Sequence, residues 1–192
     1  MLRCGACSSA LVGAVVACGS RMGCCSRVGR SEVSVDRPAV RASRGVTVEG
    51  VRDPRVFAGV VAEAYAHRGV SVEAAFALLA NPRLLTAVGK HMLVALVDAE
   101  PVASALGFID GPVGVLSWIG TVPHARGRGI AKLITAAAVD RAMAHGARIV
   151  GLQATEEGEP LYRQLGFREA TRYVRYVVEP PITPVAPLSS QG

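Results

Sequence analysis

The clearest pattern of apolar and polar positions begins at residue 130. Apolar residues recur there at the i, i+3, i+4, i+7 spacing of a one-sided helix. The predicted face comprises Ile130, Leu133, Ile134, Ala137, Ala138, Arg141 and Ala142. Gly146 follows at the position typical of a helix C-cap. Apolar runs at 113–121 and 148–152 flank this helix and are typical of buried strands. This order predicts a βαβ unit with parallel strands and a right-handed crossover.

Weaker patterns predict the remaining elements of a single domain. Alternation, helical spacing and turn residues indicate a strand at 46–51, helices at 54–67 and 71–79, a hairpin of strands 92–97 and 101–109, and a closing strand at 167–178. Ser71 is predicted to be the N-cap of the second helix. The Asn81-Pro82 pair marks a break after that helix.

Two glycines lie where the first strand of the βαβ unit leads into its helix. Residues 122–131 read V-P-H-A-R-G-R-G-I-A, with Gly127 and Gly129 immediately before the helical pattern. Such a turn directs unpaired backbone N–H groups and the positive end of a helix dipole at one point. Arg126 and Arg128 add positive charge beside it. The turn therefore predicts an anion site suited to a phosphate or pyrophosphate.

Two common phosphate-binding motifs are excluded by the neighbouring residues. A dinucleotide fingerprint needs a third glycine three residues after the second, where this chain has Lys132. It also prefers an acidic residue at the end of the next strand, and the run from 147 to 155 carries none. A Walker loop needs Gly-Lys-Ser/Thr, which is absent from the sequence.

Two motifs in the chain resemble those of the GCN5-related N-acetyltransferases (the GNAT family). Residues 126–131, R-G-R-G-I-A, resemble the family's acyl-CoA signature, and residues 161–167, L-Y-R-Q-L-G-F, resemble its second signature. The resemblance covers residues 46–178 and is sharpest over 113–167. It implies an α/β (α+β) fold with a mixed central sheet, helices on both faces, and the order β-α-α-β-β-β-α-β-α-β.

By this resemblance the chain binds acetyl-CoA as its acyl donor. The glycine turn would take the pyrophosphate through backbone N–H groups, and the end of the preceding strand would pair with the pantetheine arm. The cofactor-binding residues that the resemblance implies are Ile119, Gly120, Thr121, Arg126, Gly127, Arg128, Gly129, Ile130 and Ala131. No spacing of ligand residues indicates a metal site, so no metal is expected.

Two residues are implied to carry the chemistry of acetyl transfer. The backbone N–H of Ile119 would polarise the thioester carbonyl as an oxyanion donor. The Tyr162 phenol would protonate the departing coenzyme A thiolate. The sequence identifies no general base, and acidic side chains near 156–159 are expected at a helix start on dipole grounds.

The function expected from these residues is transfer of an acetyl group from acetyl-CoA to a primary amine of a small molecule or protein. The amine would attack directly in a ternary complex. The alternative is an acyl-CoA-binding sensor or pseudo-enzyme with the same fold. We expect a monomer or homodimer, and the sequence does not indicate which amine is the acceptor.

The first 45 residues differ in composition from the rest of the 192-residue chain. They contain all five cysteines, and residues 1–52 carry eight basic and three acidic side chains, so most of the net charge of +6 lies there. The charge therefore does not indicate a nucleic-acid-binding face on the domain. Residues 1–45 are predicted to be a disordered or targeting extension, and the proline-rich residues 179–192 a disordered tail.

Three interpretations of the extension remain open. Its apolar run from Ala10 to Ala17, followed by Cys18, resembles the export signal of a bacterial lipoprotein. A disordered segment and an N-terminus assigned too early are the other two. Because acetyl-CoA is a cytosolic cofactor, we expect a cytoplasmic protein with no membrane partner, and an exported lipoprotein is the alternative.

Overall fold

The computed structural model describes residues 22–28 and 45–173. The strands are β1 (Met22–Val28), β2 (Val46–Gly50), β3 (Lys90–Val97), β4 (Glu100–Asp110), β5 (Val113–Thr121), β6 (Ile149–Gln153) and β7 (Arg168–Tyr173). The α-helices are α1 (Pro54–Tyr65), α2 (Val72–Leu79), α3 (Arg83–Thr86), α4 (Ile130–Ala144) and α5 (Glu159–Gln164). The strands form one sheet in the order β2-β3-β4-β5-β6-β1-β7. β5 and β6 pair in parallel, and the other neighbours are antiparallel.

Both faces of the sheet are buried by helices, which confirms the predicted fold class. Met92 and Val94 of β3 enter the cluster formed with α1 and α2 on one face. The intervening residues Leu93 and Ala95 enter the cluster formed with α4 on the other face. This alternation has the period of two expected for a strand that is covered on both sides.

Short polar side chains begin the first two helices. The Asp53 carboxylate accepts a hydrogen bond of 2.9 Å from the Arg55 N–H, and Pro54 occupies the first turn of α1. The Ser71 hydroxyl accepts one of 3.1 Å from the Ala74 N–H, which confirms Ser71 as the N-cap of α2. Each cap satisfies a backbone N–H group that has no partner within its helix.

α4 begins and ends as predicted. Gly129 is its N-cap, and Gly146 follows its C-terminal end with a φ of +96°. The Gly146 N–H donates to the Met143 carbonyl at 3.0 Å, and the Ala147 N–H donates to the Ala142 carbonyl at 3.1 Å. These two bonds form a Schellman motif, which satisfies carbonyl groups at the helix end.

The buried stripe of α4 is rotated slightly from the predicted face. Its buried residues are Ile130, Ile134, Thr135, Ala138, Val139 and Ala142. Arg141, which was placed on the predicted face, is exposed, and Leu133 and Ala137 are only partly buried. Small residues fill most of this helix, so the spacing of its larger apolar residues does not by itself define which side faces the sheet.

β5 and α4 approach closely because one strand residue has no side chain. A Cβ atom built on Gly114 would lie 3.3 Å from the Ala142 Cβ and 3.4 Å from the Ala147 Cβ and the Val150 Cγ2. The glycine therefore lets the C-terminal half of α4 pack directly on β5. This contact sets the position of the helix whose other end carries the candidate site.

Two described elements were not predicted. The short helix α3 follows Asn81 and Pro82, where the sequence indicated only a break. β1 lies between β6 and β7 and pairs with both of them, although residues 1–45 were predicted to lie outside the domain. Residues 1–21, 29–44 and 174–192 lie outside the described residues, so the remaining statements about the extension and tail stay predictions.

The packing of Gly114 makes a testable prediction about stability. Gly114→Val adds a branched side chain against Ala142 and Val150, so we expect the free energy of unfolding to fall by about 1–3 kcal/mol. Gly50→Val is the matched control, because Gly50 is an exposed strand glycine with no atom within 4 Å of a built Cβ. Urea unfolding of both variants measures the difference. Equal losses would contradict the close approach of α4.

Candidate functional site

The site begins where two parallel strands part. β5 and β6 are paired from Val113 with Ile149 as far as Leu116 with Leu152. Beyond that point β5 continues to Thr121 without a β6 partner. A cavity of about 410 Å³ opens between the separated strands. Backbone groups on this side of β5 are therefore available to a ligand, since unpaired buried N–H and C=O groups need some partner.

The N-terminus of α4 forms one wall of this cavity. Gly127 and Gly129 have φ values of +75° and +76°, a left-handed conformation that favours glycine. The Leu133 N–H donates to the Gly129 carbonyl at 3.1 Å, the first α-helical bond of α4. The N–H groups before Leu133 have no partner within the helix. Because Gly129, Ile130 and Ala131 line the cavity, the unpaired N–H groups and the positive dipole end of α4 lie at its wall, an arrangement that suits an anion.

The two arginines of the turn have different positions. Arg126 lines the cavity, but its guanidinium donates to the Thr121 carbonyl at 3.1 Å and to the Ala64 carbonyl at 3.0 Å. It therefore ties the end of α1 to the end of β5. Arg128 is not among the residues that line the cavity. Both side chains were predicted to add positive charge at the anion site. In the structure the Arg126 guanidinium instead bonds two backbone carbonyls, and Arg128 does not line the cavity.

A β-bulge interrupts β5 beside the cavity. The pairing of β4 with β5 shifts register between Ser104 and Leu106, so that Trp118 and Ile119 together lie opposite one residue of β4. Trp118 has a φ of +50°, which is rare for a bulky residue. The buried Ser104 hydroxyl donates a hydrogen bond of 2.9 Å to the Trp118 carbonyl.

Tyr65, at the end of α1, holds the bulge from the other side. Its hydroxyl donates to the Ile119 carbonyl at 2.8 Å, and its ring contacts the Trp118 ring edge-on with centroids 5.5 Å apart. A Cβ built on Gly120 would lie 2.7 Å from the Tyr65 Cε2 and 2.9 Å from the Ala64 Cβ. Gly120 therefore allows the end of α1 to pack on the bulge.

Tyr162 of α5 lines the cavity and is buried. Its ring contacts Phe167 edge-on, with centroids 5.9 Å apart, and a Cβ on Gly158 would lie 2.9 Å from its Cε2. Burial, and secondly the nearby Tyr65 hydroxyl, raise the pKa of the Tyr162 phenol above its ordinary value. The phenol is therefore protonated at neutral pH, as a hydrogen-bond or proton donor must be.

Two further features of the cavity concern polar groups. The hydroxyl oxygens of Ser117 and Thr121 are buried without a hydrogen-bond partner, and both residues line the cavity. Buried hydroxyls are normally hydrogen-bonded, so a polar ligand would complete their bonding.

Arg68 and Glu157 also line the cavity and form an ion pair of 3.0 Å that joins its two walls. Both side chains are partly exposed, so this pair adds little stability.

Most of the predicted site residues surround this one cavity. It is lined by Ile119, Gly120, Thr121, Arg126, Gly127, Gly129, Ile130, Ala131 and Tyr162, together with residues that no sequence motif indicated. Of the missed residues, Ser104 offered a signal, because it is a polar position inside an otherwise apolar strand. The helical pattern at 54–67 contained no sign that Tyr65 would reach β5.

Of the two histidines near the ends of α1 and β5, His67 lines the cavity and His124 does not. The His124 ring is half exposed, with one nitrogen 3.5 Å from a Glu63 carboxylate oxygen and the other 3.4 Å from one of Glu100. Among the side chains that the structure describes, those of residues 45–170, there is no group of three or more His, Cys, Asp or Glu that could hold a metal ion. In the same range, no helix is both long and apolar enough to cross a bilayer.

The family model described as "Acetyltransferase (GNAT) family" matches residues 63–167, more than half of the chain. The chain belongs to this family of acetyltransferases. The matched region includes the end of α1, the parted strands, the glycine turn and Tyr162, and so contains the cavity described above. No curated protein matches the sequence.

Solved structures share the fold at low sequence identity. A GCN5-related N-acetyltransferase from Sphaerobacter thermophilus is 22% identical with a TM-score of 0.62, over 83% of this chain and 51% of that one. An aminoglycoside N-acetyltransferase in complex with CoA is 21% identical with a TM-score of 0.55, over 70% and 93%. A predicted acetyltransferase from Clostridium acetobutylicum, solved with acetyl-CoA, is 19% identical with a TM-score of 0.53, over 64% and 90%.

The environment of Tyr65 predicts how stability depends on pH. Burial raises the pKa of Tyr65 to about 12, whereas Arg68 lowers it to a smaller extent. The unfolded phenol titrates near pH 10. Between about pH 10 and 12 the unfolded chain therefore loses this proton while the folded protein keeps it, and the free energy of unfolding falls as pH rises.

We expect Tyr65→Phe to lose about 1 kcal/mol at neutral pH with its hydrogen bond, and to show a shallower decline at alkaline pH. Urea unfolding at several pH values between about 9 and 11.5 measures both effects. Tyr162 remains in the variant, so some decline persists. An unchanged slope would contradict the buried, protonated state of Tyr65.

Proposed function

We propose that this protein transfers the acetyl group of acetyl-CoA to a primary amine of a small molecule or a protein. The observation that carries the proposal is one cavity that joins three features: the glycine turn at the start of α4, the unpaired end of β5, and the Tyr162 phenol. These features match the three parts of acetyl-CoA, namely the pyrophosphate, the pantetheine arm and the thioester.

The anion site supports binding of the pyrophosphate. Backbone N–H groups at residues 128–131 and the helix dipole would contact its oxygens, and the left-handed glycines keep side chains away from them. The amides of the pantetheine arm would pair with the β5 backbone after Ser117, as an added strand pairs with a sheet edge. The buried hydroxyls of Ser117 and Thr121 would supply further hydrogen bonds.

Structural neighbours give independent support for the donor. The proteins solved with acetyl-CoA and with CoA share the fold of this chain over most of their own length. Their names concern those proteins alone, and at about 20% identity they support a common architecture without indicating the acceptor. The family membership and the cavity together make acetyl-CoA the donor that we propose.

The proposed reaction needs no intermediate on the protein. The amine nitrogen attacks the thioester carbonyl carbon, and the developing oxyanion accepts a hydrogen bond from the Ile119 N–H. The C–S bond then breaks, and the sulfur takes a proton from the Tyr162 phenol. The nitrogen releases its proton to water, and water reprotonates the phenolate. Holding the amine against the thioester contributes most of the rate.

Binding is tested with a glycine pair at the two ends of α4. Gly129→Ala and Gly146→Ala both place a Cβ at a positive φ and should each cost about 1–2 kcal/mol of stability. Only Gly129 faces the cavity, so we expect its variant to bind acetyl-CoA at least about 10-fold more weakly, with Gly146→Ala within about 2-fold of wild type. Calorimetric titration measures the affinities. No binding by the wild type at millimolar acetyl-CoA would overturn the proposal.

The role of Tyr162 is tested with Tyr162→Phe, which keeps the ring packed on Phe167. We expect kcat to fall by about 100-fold or more while the affinity for acetyl-CoA changes little. Release of free coenzyme A with a panel of primary amines provides the rate. An unchanged kcat would remove Tyr162 as the proton donor. Tight binding by the wild type with no transfer to any amine would instead favour the acyl-CoA sensor.

A further inference from the structure

A buried serine contacts the bulge from the side opposite the cavity. Ser104 lies in β4 between Ala103 and Ala105 and is fully buried, yet it is not among the residues that line the cavity. Burying a hydroxyl is unfavourable unless the group is hydrogen-bonded. Here its 2.9 Å bond to the Trp118 carbonyl satisfies both the hydroxyl and a carbonyl that the bulge takes out of the regular ladder.

The geometry of a peptide unit transmits this bond across β5. In a trans peptide the carbonyl of one residue and the N–H of the next point in opposite directions. The structure has no cis peptide among its described residues. Since the Trp118 carbonyl points at Ser104, the Ile119 N–H points away from Ser104 and β4. Ile119 lines the cavity on that opposite side, where β6 has left β5 without a partner.

The next peptide unit is held separately. The Ile119 carbonyl accepts the Tyr65 hydroxyl at 2.8 Å, so the Ile119 residue is held through the peptide unit on each side. Trp118, immediately before these two peptide units, has an unfavourable φ of +50°. A residue in such a conformation persists only when its surroundings hold it there. Removing the Ser104 bond would let the Trp118–Ile119 peptide rotate and turn its N–H out of line.

We propose that Ser104 is a positioning residue for the acetyl transfer, and that its hydroxyl aims the Ile119 N–H at the oxygen of the bound thioester. The inference rests on the proposed function, because the N–H is useful only if a thioester carbonyl lies in the cavity. It adds a residue outside the cavity that acts on the rate through the backbone. The pull of Ser104 on the Trp118 carbonyl also polarises the peptide, which strengthens its N–H as a donor.

The test compares Ser104→Ala with the wild type in three measurements. The first is the affinity for acetyl-CoA. The second is kcat for coenzyme A release, with an amine or water as the acetyl acceptor. The third is the infrared carbonyl stretch of bound acetyl-CoA labelled with ¹³C at the carbonyl. A hydrogen bond to the thioester oxygen lowers that stretching frequency. We expect Ser104→Ala to bind within about 3-fold, to lose about 10- to 100-fold in kcat, and to lose the frequency shift.

Thr135→Val is the matched control. Thr135 is equally buried, and its hydroxyl donates to the Ala131 carbonyl at 2.7 Å within α4, away from the bulge. The control therefore loses the same kind of bond at a similar cost in stability, and we expect its kcat and carbonyl frequency to match the wild type. If Ser104→Ala does not fold, Ser104→Cys retains a group of similar shape with a weaker donor, and the same losses are expected from it.

The outcomes separate this inference from the proposed function. A kcat for Ser104→Ala equal to that of Thr135→Val, or a loss of rate with the carbonyl shift retained, overturns the positioning role. Binding of acetyl-CoA by the wild type without any carbonyl shift overturns it too, while leaving acetyl-CoA as the donor. Failure of the wild type to bind acetyl-CoA overturns the proposed function and this inference with it.

Discussion

The separation of β5 from β6 after Leu116 and Leu152 is the constraint on which the rest of the site depends. Two parallel strands that part inside a domain leave backbone groups without partners, and such groups are costly when buried. Near this point, a backbone group either has a side chain as its hydrogen-bond partner or faces space that a ligand can occupy. The Tyr65 hydroxyl bonds the carbonyl of Ile119, and the unbonded groups face a cavity.

The end of α1 holds the separated strand in position. Tyr65 bonds the carbonyl of Ile119 directly, and Arg126 bridges the two elements by bonding the carbonyls of Ala64 and Thr121. The guanidinium bonds carry a full charge and are the stronger kind. The exposed pair of Arg68 and Glu157 is different, because solvent screens it. Rigidity near the bulge therefore comes from bonds to the backbone.

Local patterns in the sequence predicted the parts of the structure that local physics determines. The boundaries of α4, its two glycines and the N-cap Ser71 follow from capping and φ requirements that act within a few residues. The contact of Tyr65 joins residues 54 apart, so no short window could reveal it, and the polar Ser104 inside an apolar strand gave no sign of the register shift on which its role depends. β1 was missed for a similar reason. Its sequence, M-G-C-C-S-R-V, has no alternation, and its partners lie at the other end of the chain.

That placement of β1 has a consequence for how the chain acquires its structure. β1 leaves the ribosome before any other described strand, but both of its partners, β6 and β7, are made last. Such pairings have a large entropic cost of loop closure, and they slow folding relative to the local contacts of a hairpin such as β3 and β4. β7 also meets the sheet only through β1. The first of the described strands to be synthesised therefore has no partner in the sheet until most of the chain has been made.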